Sequence, residues 1–91
     1  MLYTVVQKNN YQDSINLMLL TNSVNEIEGV TQSQVMMATD ANKDIFKTAG
    51  LHTPELEAAG ANDMAIVVDS NDETVVDKVL EEVERFLGDL S

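Results

Sequence analysis

The residues best placed to do chemistry in this 91-residue chain fall in two short polar segments, Thr39-Asp40-Ala41-Asn42-Lys43 and Gln12-Asp13-Ser14. The first joins an apolar stretch to the start of a helical pattern. Backbone N–H groups, the Thr39 hydroxyl, the Asn42 carboxamide and the Lys43 ammonium can converge there on an anion such as a carboxylate or phosphate. Its competing role is structural, with Thr39 or Asp40 capping the helix and Lys43 in water. Asp40 would repel an anion unless its side chain turned back onto the helix amides. Gln12 and Ser14 open another helix at the sheet end where the first strand exits, and there they would complete a polar rim. Capping is the structural alternative for them too.

Other chemistries lack their residues. The chain has no cysteine, which removes disulfides, thiolate metal sites and cysteine nucleophiles together. His52 is its one histidine and stands in a loop between Leu51 and Thr53-Pro54. No Ser-His-Asp arrangement is supported by spacing, so no catalytic residue is expected. The carboxylates near the carboxy terminus read as a solvated helix face, so no metal and no cofactor are expected either. The four glycines, 29, 50, 60 and 88, stand singly and make no phosphate-cradling loop.

Sixteen acidic against five basic side chains give a formal charge of −11. Such a surface is a poor partner for nucleic acid, whose backbone needs clustered cations. Apolar runs such as Met18 to Leu20 and Met64 to Val68 are far below the ~20 residues that cross a bilayer. With no basic-then-apolar leader either, a cytoplasmic setting is expected. The length allows one domain over residues 1–91, with a single small core.

Seven elements must position the polar segments. LYTVVQK (Leu2 to Lys8) reads as a strand ended by Asn9-Asn10. Asn10 and Asp13 have the spacing of an acidic capping box for a helix from Tyr11 to Glu26, with an apolar stripe of Leu17, Leu20, Val24 and Ile27 that Ile15 and Met18 widen. Gly29 turns the chain into a second strand, Thr31 to Thr39, which enters the sheet from an exposed edge. Ala41 to Ala49 forms a short helix stopped by Gly50, and Thr53-Pro54-Glu55 opens another that Gly60 closes. Met64 to Asp69 is a continuous apolar run, the pattern of a central strand covered on both faces, with helices expected on one side and a partner on the other. A Ser70–Glu73 capping box would then start a last helix with the stripe Val75, Val76, Val79, Leu80, Val83, Phe86, Leu87 and Leu90.

This order predicts an α+β fold: a truncated ferredoxin-like plait with a helical insertion between strands two and three and no fourth strand. The missing strand leaves strand one with an open edge, which a second copy or another domain would pair.

The blocks YQDSINLM (Tyr11 to Met18), EGV (Glu28 to Val30), VMMATDANK (Val35 to Lys43) and ANDMAIVV (Ala61 to Val68), in this order and spacing, resemble the amino-terminal region of the FdrA family. Ala38 replaces that family's usual glycine. FdrA proteins are acyl-CoA synthetase homologues whose longer carboxy-terminal part resembles the α subunit of succinyl-CoA synthetase. The resemblance implies a link to purine and allantoin breakdown, including carbamoyl transfer involving oxamate. It also implies a non-catalytic accessory or assembly domain, whose partner is a second copy or the CoA-binding part. The alternative, by analogy of fold, is a module that senses a small carboxylate or other anion, as ACT domains do.

Overall fold

A computed structural model describes residues 1–90. In chain order the elements are β1 (Leu2–Gln7), α1 (Ser14–Asn25), β2 (Val30–Met37), α2 (Asp40–Thr48), α3 (Pro54–Ala58), β3 (Met64–Ser70) and α4 (Val75–Asp89). The strands form one sheet in the order β1-β3-β2, antiparallel throughout, which is the expected α+β plait without its fourth strand. Among the described residues no helix is long and apolar enough to cross a membrane.

β3 is central because its sequence leaves no polar face. Met64, Ala65, Ile66, Val67 and Val68 are all buried, and their alternation sends consecutive side chains to opposite sides of the sheet. Met64, Ile66 and Val68 join Val35 and Met37 of β2 under Leu17, Leu20 and Val24 of α1 and Val75, Val79 and Val83 of α4. Ala65 and Val67 face the other way and pack with Phe46 of α2, Leu56 of α3, Leu51 and Ala59. The sheet is therefore covered by helices on both faces. This corrects the expectation that a partner would supply the second cover, because the insertion between β2 and β3 folds back to do so.

Local chemistry sets most element ends. Thr39 accepts a hydrogen bond from the Asn42 N–H (3.2 Å) and caps α2, while Thr53 accepts one from Leu56 (3.1 Å) and caps α3 ahead of Pro54. Gly29 has φ +99° at the entry to β2, a backbone region that favours glycine.

Three local expectations are corrected. α1 starts at Ser14, not Tyr11, because Asp13 is itself the cap and accepts from the Asn16 N–H at 2.9 Å. No Ser70–Glu73 box forms: Ser70 is buried and donates to the Gly29 carbonyl at 2.6 Å, while Thr74 precedes α4 without a side-chain cap. Ile15 and Met18 do not widen the buried stripe of α1, since they are 66% and 61% exposed.

The covering role of α2 can be tested at adjacent positions. Phe46→Ala opens a cavity under Val67 and is expected to cost about 3–5 kcal/mol in urea unfolding. Ile45→Ala, at a half-exposed neighbour, should stay within about 0.5 kcal/mol of the parent chain.

Candidate functional site

The two outer edges of the sheet differ, and the difference follows from where their backbone groups go. At the start of β1 the amino-terminal ammonium donates to the Ser70 carbonyl (3.1 Å) and the Ser70 N–H donates to the Met1 carbonyl (3.0 Å). Bonded and non-bonded pairs alternate in an antiparallel ladder. Tyr3–Val68, Val5–Ile66 and Gln7–Met64 are therefore the bonded pairs. The N–H and C=O groups of Leu2, Thr4 and Val6 consequently point away from β3, along an edge with no proline, bulge or charged residue. All six residues of β1 are only partly buried.

The β2 edge is obstructed. Ala38 donates to the Asp63 carbonyl (2.9 Å), so by the same alternation Met37, Val35 and Ser33 direct their backbone groups outward. The Met37 carbonyl is taken by the Asn42 carboxamide at 2.9 Å, and the Thr21 hydroxyl lies 3.5 Å from the Val35 carbonyl. A register irregularity between Val30 and Gln32 further disturbs the strand.

Along this second edge runs a half-open groove of about 320 Å³, walled by α1 and the start of α2 and floored by Gln34, Val35 and Met36. Ser14 and Asn42 both line it, together with Thr21 and Asn22. Two of the five sequence candidates thus meet in one cleft whose lining sets hydroxyls and carboxamides beside apolar Leu17, Met18, Val35 and Met36 and carries no charged side chain.

The other three candidates are engaged elsewhere. Thr39 is the α2 cap, and Gln12 donates to Asn10 (3.1 Å) and accepts from Asn16 (3.3 Å). Lys43 reaches across to α3, where its Nζ donates to the carbonyls of Glu57 (3.0 Å) and Ala59 (2.7 Å). Its ammonium ties α2 to the end of α3 and satisfies carbonyls that the short helix leaves open. Glu57 also bonds His52 Nε2 at 3.0 Å, and this bond, aided by Lys43 and Lys47, holds the Glu57 carboxyl below its ordinary range.

Sequence reasoning missed Asp63. Its Oδ1 accepts from the Asn9 N–H (2.9 Å), its Oδ2 accepts from the Gly60 N–H (2.9 Å) and lies 3.4 Å from the Lys8 ammonium. One buried carboxylate thus gathers the exits of β1 and α3, while its own carbonyl holds β2. Asn9, with φ +51°, presents its N–H within this turn. The Asn9 and Gly60 N–H groups, then Lys8, lower the Asp63 pKa. The only signal in the sequence was the turn-like Gly60-Ala61-Asn62-Asp63 string.

Comparison with known proteins identifies the sequence but not its chemistry. Residues 1–91 match the family described as AllF, heavy metal-associated domain. The chain is 40% identical over 84 residues to the uncharacterized protein YahF of Escherichia coli strain K12, covering 92% of this chain. It spans 16% of that relative's length. No solved structure matches.

The family description implies a heavy metal, and the donor set argues against one here. Soft metals take thiolate, thioether or imidazole ligands. The chain has no cysteine, its one histidine bonds Glu57, and of its five methionines Met37 and Met64 are buried in the core; Met18 and Met36 line the groove, but as thioethers with no thiolate or imidazole beside them. Among the described residues no three His, Cys, Asp or Glu side chains are grouped to hold an ion.

Asp63 gives a pH signature with a defined sign. Its native pKa lies below the unfolded value, so in acid the unfolded chain binds more protons and stability rises with pH. That contribution is complete above the unfolded pKa and is lost as pH falls through the native one. Urea unfolding between about pH 2 and pH 5 should show a slope that is smaller in Asp63→Asn. The variant should also be less stable at neutral pH, because an amide nitrogen cannot accept the bonds a carboxylate oxygen accepts.

Proposed function

Because the chain belongs to the family of AllF heavy metal-associated domains, we propose that it is a non-catalytic accessory domain that joins a larger FdrA-like assembly by strand pairing at β1. The chemistry of that assembly is acyl-CoA synthetase-like or carbamoyl transfer involving oxamate, in allantoin-related catabolism, and belongs to the larger CoA-binding part. The single observation that carries this reading is the regular outer edge of β1, with the backbone groups of Leu2, Thr4 and Val6 unpaired in a sheet closed on both faces. Long regular edges are ordinarily blocked or covered. The 16% share of a much longer relative supports a supporting role within something larger.

Amide hydrogen exchange on the chain assembled with the larger part tests this. The Leu2, Thr4 and Val6 amides should be protected in the assembly, whichever chain supplies the pairing strand, and the chain alone should show no carbamoyl transfer. Unprotected amides at all three positions in the full assembly would refute it.

The groove favours a second reading, a sensor of a small carbonyl-bearing compound, because it brings Ser14 and Asn42 together in an uncharged cleft. A ligand at 100 times its Kd adds about 2.7 kcal/mol of stability. Oxamate or a ureido acid should then raise the Tm of the parent chain, and less so in Asn42→Ala. No shift with either compound eliminates the sensor.

A further inference from the structure

The strand that completes β1 remains to be assigned, and an answer rests on the assembly reading above. We infer that it is the β1 of a second copy, running antiparallel about a two-fold axis at Thr4, so that two three-stranded sheets become one. The outward backbone groups are symmetric about that residue: Thr4 meets Thr4, and Leu2 meets Val6 in both directions. This register uses every unpaired group of the edge and forms about six backbone hydrogen bonds.

The side chains fit the same register. Opposed residues in an antiparallel pair share a face. Leu2 and Val6 pack with the α2–α3 layer, whereas Tyr3 and Val5 pack with the α1–α4 layer. Across the two-fold axis Leu2 lies beside Val6 and Tyr3 beside Val5, giving apolar and aromatic–β-branched pairs on both sides. Each of these residues is partly exposed in the single chain.

Charge leaves this edge open to a partner that is itself acidic. Two copies at −11 repel over most of their surfaces, but residues 1–12 contain no Asp or Glu and one Lys. At one end of β1 the amino-terminal ammonium is paired with Asp69 (3.1 Å), and just beyond the other end Lys8 is paired with Asp63 (3.4 Å). The two-fold axis brings the Lys8–Asp63 pair of each copy to the end of the strand where the other carries its Met1–Asp69 pair, so charges balance at both ends of the joined strands. β2 does not compete, being irregular at Thr31 and occupied at the Met37 carbonyl.

The test uses the full chain and its lack of cysteine. Light scattering at high concentration should give twice the 10.0 kDa chain mass. Thr4 and Val6 amides should exchange at least roughly 100-fold more slowly there than in dilute solution, while Tyr3 and Val5, bonded to β3, change little. Opposed Cα atoms in a bonded pair lie about 5.5 Å apart, within disulfide range, so Thr4→Cys should cross-link to itself under mild oxidation. Thr31→Cys, exposed on β2, should not. A monomer at millimolar concentration with fast Thr4 and Val6 exchange overturns the inference. If those amides then become protected on adding the larger part, the second copy is excluded while the assembly role stands; if they stay fast, both fail.

Discussion

The structure depends on the burial of β3 on both of its faces. Five consecutive apolar residues, Met64 to Val68, place side chains above and below the sheet, and a small chain must find helices for each side. α1 and α4 supply one layer with aliphatic stripes. α2 and α3 supply the other with few but large contributions, chiefly Phe46 and Leu56, over a floor of Ala65 and Val67. The small Ala65 side chain suits a close approach by short helices, and Lys43 then fastens the two helices together through the carbonyls of Glu57 and Ala59.

Two residues at the ends of β3, Asp63 just before it and Ser70 at its close, connect the layers to the ladder. Asp63 collects Asn9, Gly60 and Lys8 on its carboxylate and Ala38 on its carbonyl, so the same ends of β1 and β2 converge on the entry to β3. Ser70 does the corresponding work at the opposite end, bonding Met1 through its backbone and Gly29 through its hydroxyl. Between these two anchors the pairing of β1 with β3 runs without a break.

What the sequence disclosed was local. Period-two and helical patterns placed all seven elements in order, and the Thr39 and Thr53 caps were readable because a cap depends on residues three positions apart. The closure of the second face was not readable, since α2 and α3 are short and reveal their packing only when the chain returns to the sheet. The same holds for Ser70, whose spacing to Glu73 suggests a cap but whose burial assigns its hydroxyl to Gly29. At the candidate site, Ser14 and Asn42 were recognised as polar residues at helix starts, while their meeting across the β2 edge required the sheet order. Lys43 looked like an anion ligand because no sequence pattern shows that a distant helix end needs its N–H donors.

Closing both faces also decides how the molecule can grow. A sheet with a bare face can stack, but this one can extend only within its own plane, and only at β1. Once two β1 strands are joined about a two-fold axis, both remaining margins are β2 strands, each irregular at Thr31 and stopped at Met37 by Asn42. Such an interface is isologous and closed, so addition ends at two copies and does not propagate into a filament.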